Sequence, residues 1–518
     1  MRAPGLKVAR ATAAGIVLGV LALALLDFRG AMPPEVGHGI AAMQFVPSWL
    51  GLAAGASLAL GGIGILLVTL FAGRIYCAAI CPLGIWQDLV AHLAERIGRR
   101  GPRYPTRPAR TALRQVFLWL SVAGIFAGGA GLALTVVDPY SSFARAVVLL
   151  GRPLVAAANN ALVLMLRQVG AEFLYRVEPG WAPWGVLALA GLGLLVATGL
   201  AVWRGRIYCN TFCPVGTVLG LVARHSAFRL RLDPAACRKC GDCLRACRAQ
   251  CIDVRAGTID ASRCVACYNC LSVCHEGGIR HAWSWGRRAG RTPAPAGPDA
   301  GRRSFVALAA AAAVTLPVKS PVRSPTTPAD PGSGGPICPP GAGSVERFLA
   351  HCTACQLCVS ACPTHVLTPA WWQYGAAGVL KPRLDYAAAF CNYDCHRCAE
   401  ACPDGAILRL ALTDKQVTRI GAAQLDVEAC IVKTKGTDCA ACSEHCPTKA
   451  VDTVPYGDNL RLPQVNADLC IGCGACEFAC PAKPRKAITV ATRRRHERAQ
   501  RRVEPKAADP RHGNPFPF

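Results

Sequence analysis

The chain has 518 residues, a mean hydropathy of +0.30, and a formal charge of +26 from 57 lysines and arginines against 31 acidic residues. That length suggests several units rather than one core, and the positive hydropathy points to membrane spans rather than a wholly soluble protein. The arginine-rich stretches flank apolar segments, which reads as membrane topology and argues against a nucleic-acid partner. Thirty cysteines, mostly in closely spaced groups after residue 236, have metal-ligand spacing and exclude a small disulfide scaffold.

In chain order, four apolar stretches are long enough to cross a bilayer, which needs about 20 residues. They are Ala11–Phe28, Trp49–Ala72, Val116–Val137 and Trp184–Trp203. No A-x-A-like site follows the first, so it reads as a retained anchor. Val147–Leu166 is also apolar, but Arg152, Asn159 and Asn160 interrupt it, and it is expected to be interfacial or re-entrant. Arg2, Lys7 and Arg10 precede the first span, and Arg74, Arg96, Arg99, Arg100, Arg103, Arg107, Arg110 and Arg114 follow the second. The connection from Arg29 to Ser48 has no other basic residue, which places the N-terminus and the long basic loop in the cytoplasm.

The expected fold is an α-helical membrane domain of four spans plus two α+β, bacterial-ferredoxin-like [4Fe–4S] domains. The expected boundaries are 1–230 for the membrane domain and 231–285 for a first cysteine-rich unit. A Pro-, Gly- and Ala-rich linker follows at 286–345, then a second cysteine-rich unit at 346–490 and a basic disordered tail at 491–518.

The first unit holds Cys237, Cys240, Cys243 and Cys247, then Cys264, Cys267, Cys270 and Cys274. Three close thiolates with a remote fourth from the neighbouring run is the spacing that wraps a [4Fe–4S] cube. One cube is expected on Cys237, Cys240, Cys243 and Cys274, the other on Cys264, Cys267, Cys270 and Cys247. Tetrahedral zinc is a poorer match to three evenly spaced cysteines and a lone fourth. Arg248 and His275 stand where such runs usually end in proline. The second unit has four runs, each ending in Cys-Pro: Cys352, Cys355, Cys358 and Cys362; Cys391, Cys395, Cys398 and Cys402; Cys430, Cys439, Cys442 and Cys446; Cys470, Cys473, Cys476 and Cys480. These are enough for four more clusters, about six in all. Cys270–His275 and Cys391–His396 read CxxxCH, one residue too long for haem attachment. Cys251 and Cys338 remain as spare thiols. The chain shows no nucleophile triad, P-loop or dinucleotide fingerprint, so it reads as an electron carrier with no site for bond-making on a small substrate.

Two near-copies, GRIYCAAICPLG at 73–84 and GRIYCNTFCPVG at 205–216, end the second and fourth spans on the same face. Cys77, Cys81, Cys209 and Cys213 have three readings: one further iron–sulfur cluster, a pair of redox dithiols, or buried structural thiols. Arg74 and Arg206 are expected to mark the membrane edge. Asp138-Pro139-Tyr140, just past the third span, reads as a helix-terminating turn, with a quinol site as the alternative.

Residues 1–285 resemble the NapH and MauN families of membrane ferredoxins, which share four spans, two C-x3-C-P motifs and a two-cluster tail. Residues 301–490 resemble the NapG and MauM four-cluster ferredoxins, including a twin-arginine-like leader at 301–317 with Arg302-Arg303 and the Pro339-Pro340-Gly341-Ala342 stretch. The resemblance implies a fused polyferredoxin of the inner membrane. In it, electrons from the quinol pool would pass through the clusters to a periplasmic redox enzyme or cytochrome. It puts the first unit in the cytoplasm and the second in the periplasm. It also implies that in the second unit the first run pairs with the fourth, and the second with the third. Two other readings are a metal-centre assembly factor of the CcoG type, from which the four-cluster tail departs, and a redox sensor.

Overall fold

The computed structural model describes residues 3–27, 29–53, 60–97, 110–124, 135, 138–170, 172–285, 335–457 and 459–502. The leader-like stretch 301–317 lies outside the described residues, as do 54–59 of the second apolar stretch and most of 125–137 of the third.

Among the described residues the membrane domain contains the helices α1 Ala3–Leu26, α2 Pro34–Ala42, α3 Phe45–Ala53, α4 Leu60–Ala72, α5 Tyr76–Ala79, α6 Pro82–Ile97, α7 Thr111–Gly124, α8 Pro139–Gln168, α9 Trp184–Arg204 and α10 Pro214–Ala223, with a short helical turn at Tyr208–Phe212. Among the described residues three helical segments are long and apolar enough to cross a membrane: Gly5–Leu26, Pro139–Gln168 and Trp184–Arg204. The first and third match expected spans. The second corrects the reading of Val147–Leu166, because that segment belongs to a continuous 30-residue helix. Its polar residues interrupt nothing, since they are satisfied sideways. Asn160 exchanges hydrogen bonds with the Val177 backbone at 2.7 and 2.9 Å, and Arg29 donates to Asn159 Oδ1 at 2.8 Å.

Asp138 starts this helix. Its carboxylate accepts from Tyr140 N, Ser141 N and Ser141 Oγ, with Pro139 at the first helical position. That is an N-cap followed by proline, which fills one orphan donor position and removes another.

The first cysteine-rich unit is closed by β1 Phe228–Leu232 against β4 Ile279–Trp283, antiparallel, with the small hairpin of β2 Ile252–Asp253 and β3 Thr258–Ile259 between them. The second unit contains three antiparallel pairs. These are β5 Leu367–Pro369 with β6 Pro382–Leu384, β8 Val451–Tyr456 with β9 Leu460–Val465, and β7 Thr418–Leu425 with β10 Ile488–Arg498.

Both outer limits of the second unit are wider than expected. Ile337 bridges to Leu384, and Cys338 and Ala342 are buried, so structure begins within the expected linker. Residues 491–498, expected in the disordered tail, lie in β10, where Thr492 pairs with Gly421 and Glu497 with Arg419. The arginines there are carried by a strand whose pairing supplies the order that composition withheld.

The two units sit at opposite ends of the same helices. On α1, Lys7 Nζ donates to Ser272 of the first unit, while Ser360 of the second unit donates to Leu25 O at 3.0 Å. Those positions are 18 residues apart, about 27 Å along the axis. On α9, Trp371 of the second unit packs on Gly185, and Gln250 of the first donates to Arg204 O. One buried cluster runs through the whole assembly, from Cys243 and Cys247 through Cys77, Cys81 and Cys213 to Tyr140 and Cys355.

Candidate functional site

The regular cysteine runs share a backbone form. In each, the residues just before and just after the second cysteine are left-handed: Lys239 and Gly241, Ala266 and Tyr268, Ala354 and Gln356, Gly472 and Gly474. Non-glycine residues rarely adopt that conformation, and successive turns of this kind point backbone N–H groups into one concavity. The donors are present. Ala354 N reaches Cys352 Sγ and Ile407 N reaches Cys402 Sγ at 3.4 Å; Ala450 N reaches Cys446 Sγ at 3.2 Å.

Twenty-four of the cysteines gather in six sets of four. In the first unit, burial pushes the Cys243 thiol up to about 11, with Cys237, Cys240 and Cys274 beside it. Cys270 is raised by burial and by Cys267, Cys264 and Cys247. In the second unit, Cys358 is raised by burial and by Cys355, Cys352 and Cys402. Cys362, Cys391, Cys395 and Cys398 line one cavity, and Cys430, Cys439, Cys442 and Cys480 line another. The last set is Cys446 with Cys470, Cys473 and Cys476. The pairing implied by the resemblance is therefore corrected: run one exchanges its fourth cysteine with run two, and run three with run four. The reason is local. The helices Leu357–Ala361 and Arg397–Ala401 pack together, as do Ala441–Glu444 and Ala475–Ala479. Each such pair carries the fourth cysteine of one run to the first three of its partner.

The sets form a chain in space. Cys391 N donates to Cys473 O at 3.0 Å, linking the run 391–402 to the run 470–480. Buried ammonium groups stand beside two of them: Lys381, held down to about 8 by burial, near Cys352, and Lys415 near Cys391. Four convergent thiols with N–H donors aimed at their sulfurs are the donor set a [4Fe–4S] cube takes, so the residues fit that group. Cys251, read as spare, lies 3.6 Å from Cys247 Sγ, and Cys338 is buried against Tyr374.

The two GRIYC repeats meet in the membrane domain as near mirror copies. Arg74 Nη2 donates to Cys209 O at 3.1 Å, and Arg206 Nη1 donates to Cys77 O at 2.7 Å. Each arginine also reaches its own repeat's first cysteine sulfur, at 3.7 and 3.8 Å. Gly84 and Gly216 repeat the symmetry: a Cβ on either would lie 2.2 Å from the carbonyl oxygen of Cys77 or Cys209. Pro82 and Pro214 open the new helices α6 and α10, and Cys213 caps one by accepting from Gly216 N. Cys77, Cys81, Cys209 and Cys213 are all buried, with Cys81 facing the other three.

Both arginines turn inward between the repeats, Arg74 0% and Arg206 1% exposed. Arg206 pairs with Asp88 at 2.6 Å, and Arg10 joins the same carboxylate at 3.2 Å. Gln87, Asp88 and the arginines' inward role were missed by the sequence reading. The signal available was the arginine repeated three residues before the first cysteine of both copies.

Residues 54–100 and 184–233, which span both GRIYC copies, match a 4Fe-4S binding domain family. Residues 351–406 match a 4Fe-4S dicluster domain and 463–486 a further 4Fe-4S binding domain. The ferredoxin-type protein NapF of Escherichia coli (strain K12) is 32% identical over 145 residues, which cover 28% of this chain and 80% of that protein. The chain belongs to this ferredoxin-type family. Another relative is the methylamine utilization ferredoxin-type protein MauM of Paracoccus denitrificans, 34% identical over 29% of this chain and 70% of its own length. Ferredoxin-type protein NapG of Haemophilus influenzae is 35% identical over 28% of this chain and 56% of its own. No solved structure matches. As a ferredoxin-type protein with apolar helices of spanning length, the chain is an iron–sulfur electron carrier associated with a membrane.

Proposed function

We propose that the protein carries electrons from quinol in the inner membrane, through six [4Fe–4S] clusters, to a periplasmic redox enzyme or cytochrome. The observation that carries this reading is the six sets of four thiols, two in one unit and four in the other, docked at opposite ends of α1 and α9. When bound, such clusters accept and release single electrons. The protein's part is to hold them by thiolate, screen them from water and set their potentials by N–H donors and buried charge.

The quinol step rests on the resemblance to the NapH and MauN membrane ferredoxins. Between α1, α2 and the second unit lies a small cavity of about 30 Å³, room for a water or two, lined by Asp27, Met32, Pro33, Ser360 and Arg397.

The test is chemical and then kinetic. The purified chain should contain at least about 24 irons and at least about 24 acid-labile sulfides. Added quinol should reduce its clusters in nanodiscs. An iron content near zero would refute the carrier reading. Full iron with no response to quinol would refute the quinol reading alone.

A further inference from the structure

The six sets leave one group of thiols unexplained, at the centre of the molecule. We propose that Cys77, Cys81, Cys209 and Cys213 hold a seventh iron–sulfur centre, which joins the clusters of the first unit electrically to those of the second. The proposal rests on the reading of the six sets as clusters and is independent of the quinol step.

The first argument is charge. Arg74 is wholly buried, and its hydrogen-bond partners are Asn210 Oδ1 at 2.8 Å, Ser262 O at 2.9 Å, Cys209 O and Cys77 Sγ. All are neutral groups so long as Cys77 is a thiol, and Arg74 Nε has no partner. A buried cation without an anion is costly, and a protein keeps one where an anion belongs. Four cysteine thiolates around an iron–sulfur core carry net negative charge and supply that anion next to Arg74 and Arg206.

The second argument is donors. Gln87 Nε2 lies 3.3 Å from Cys209 Sγ, Gly216 N lies 3.3 Å from Cys213 Sγ, and both guanidinium groups point at sulfur. N–H donors reach sulfur in the same way at Cys352, Cys402 and Cys446; here they come from both repeats. Structural thiols need no such field. A disulfide pair would exchange two electrons with a bond made or broken, and would leave Arg74 unbalanced in either state.

The third argument is position. On one side, Arg74 binds Ser262 O, Asn210 donates to Ala249 O at 3.1 Å and Arg206 N donates to Arg248 O at 3.0 Å. These contacts abut Cys264 and Cys247. On the other side, Tyr208, next to Cys209, and Cys355 of the second unit both lie within electrostatic reach of Arg145. Tyr140 lies within the same reach of Cys355 and packs in the same buried core as Cys81. A centre here lies in the buried core that joins Cys243 and Cys247 of the first unit to Cys355 of the second. With it, one electron received at the first unit leaves at the second, and no proton or chemical group moves.

Cys77→Ser with Cys209→Ser should lower the iron content by two to four atoms per chain, leaving the rest, and remove one signal from the electron paramagnetic resonance spectrum of the reduced protein. The full chain is then placed in quinone-free vesicles, first unit outward, with cytochrome c trapped inside and dithionite added outside. The wild type should reduce the trapped cytochrome, and the double variant should do so at least tenfold more slowly. Unchanged iron, zinc at this site, or unchanged transfer despite lost iron would each overturn the proposal. If the double variant does not assemble, Arg74→Gln decides: it keeps the thiols and should lower the midpoint potential of the extra signal, whereas an unshifted potential or no extra signal overturns the proposal. Quinol-driven reduction in the same vesicles is scored separately, so its failure would leave the bridge intact.

Discussion

At Gly84 and Gly216 the absence of a side chain is a requirement. Each stands where a Cβ would press on the carbonyl of the first cysteine in its repeat, within 3 Å of the other repeat's arginine. Gly84→Ala and Gly216→Ala should therefore each destabilise the domain by about 1–3 kcal/mol, with similar effects because the environments are near copies. The melting temperature of the detergent-solubilised protein checks this, and two unequal or negligible shifts would contradict the symmetry. His496 gives a second residue-scale test. Burial holds its imidazole near 4, and neither ring nitrogen is partnered. As pH falls from 6.5 the unfolded chain takes up the proton first, so stability is complete above about pH 6.5 and is lost on the way to 4. The ring is partly exposed, which limits the loss to about 2 kcal/mol. His496→Phe should flatten the urea-midpoint profile of the second unit between pH 7 and 5. The cysteine sets were largely legible at this scale because three of four members are neighbours in sequence. The arginines were not, because a basic residue at the end of an apolar stretch looks the same whether it faces lipid head groups or turns inward.

Among the elements, β10 shows where composition misleads. ATRRRHER has the charge of a solvated tail, but His496 N donates to Gly343 O at 2.8 Å and Thr492 Oγ1 to Pro336 O at 3.0 Å. The strand thus ties the start of the second unit to its end. Removal of residues 503–518 should leave the iron content of the purified chain unchanged, while removal from 491 onward should reduce it, since β7 and the Cys470 loop lose their cover. Equal iron in both truncations would contradict this role. The helix Pro139–Gln168 carries the converse lesson. Its asparagines looked like interruptions in a one-dimensional reading, and only the neighbouring segments at Arg29 and Val177 show what satisfies them. Pairing of the runs was likewise beyond the sequence, because spacing says which three cysteines act together and packing says which run lends the fourth.

Over the whole molecule, the arrangement is a membrane domain with an iron–sulfur unit at each end. Asp138, Ser141, Thr353 and Asp404 form one hydrogen-bonded chain across the contact with the second unit, at 2.5, 2.8 and 2.5 Å. Arg152 donates to Val359 O across the same contact. A unit docked this way, on the ends of α1 and α9 remote from the first unit, sits where the proposed function needs it. The direct measurement is the side on which residues 335–502 lie. A compartment-specific reporter fused after residue 518 should be active in the periplasm, and Arg302→Lys with Arg303→Lys should abolish that activity. A cytoplasmic signal from both fusions would put all the clusters on one face and contradict the account.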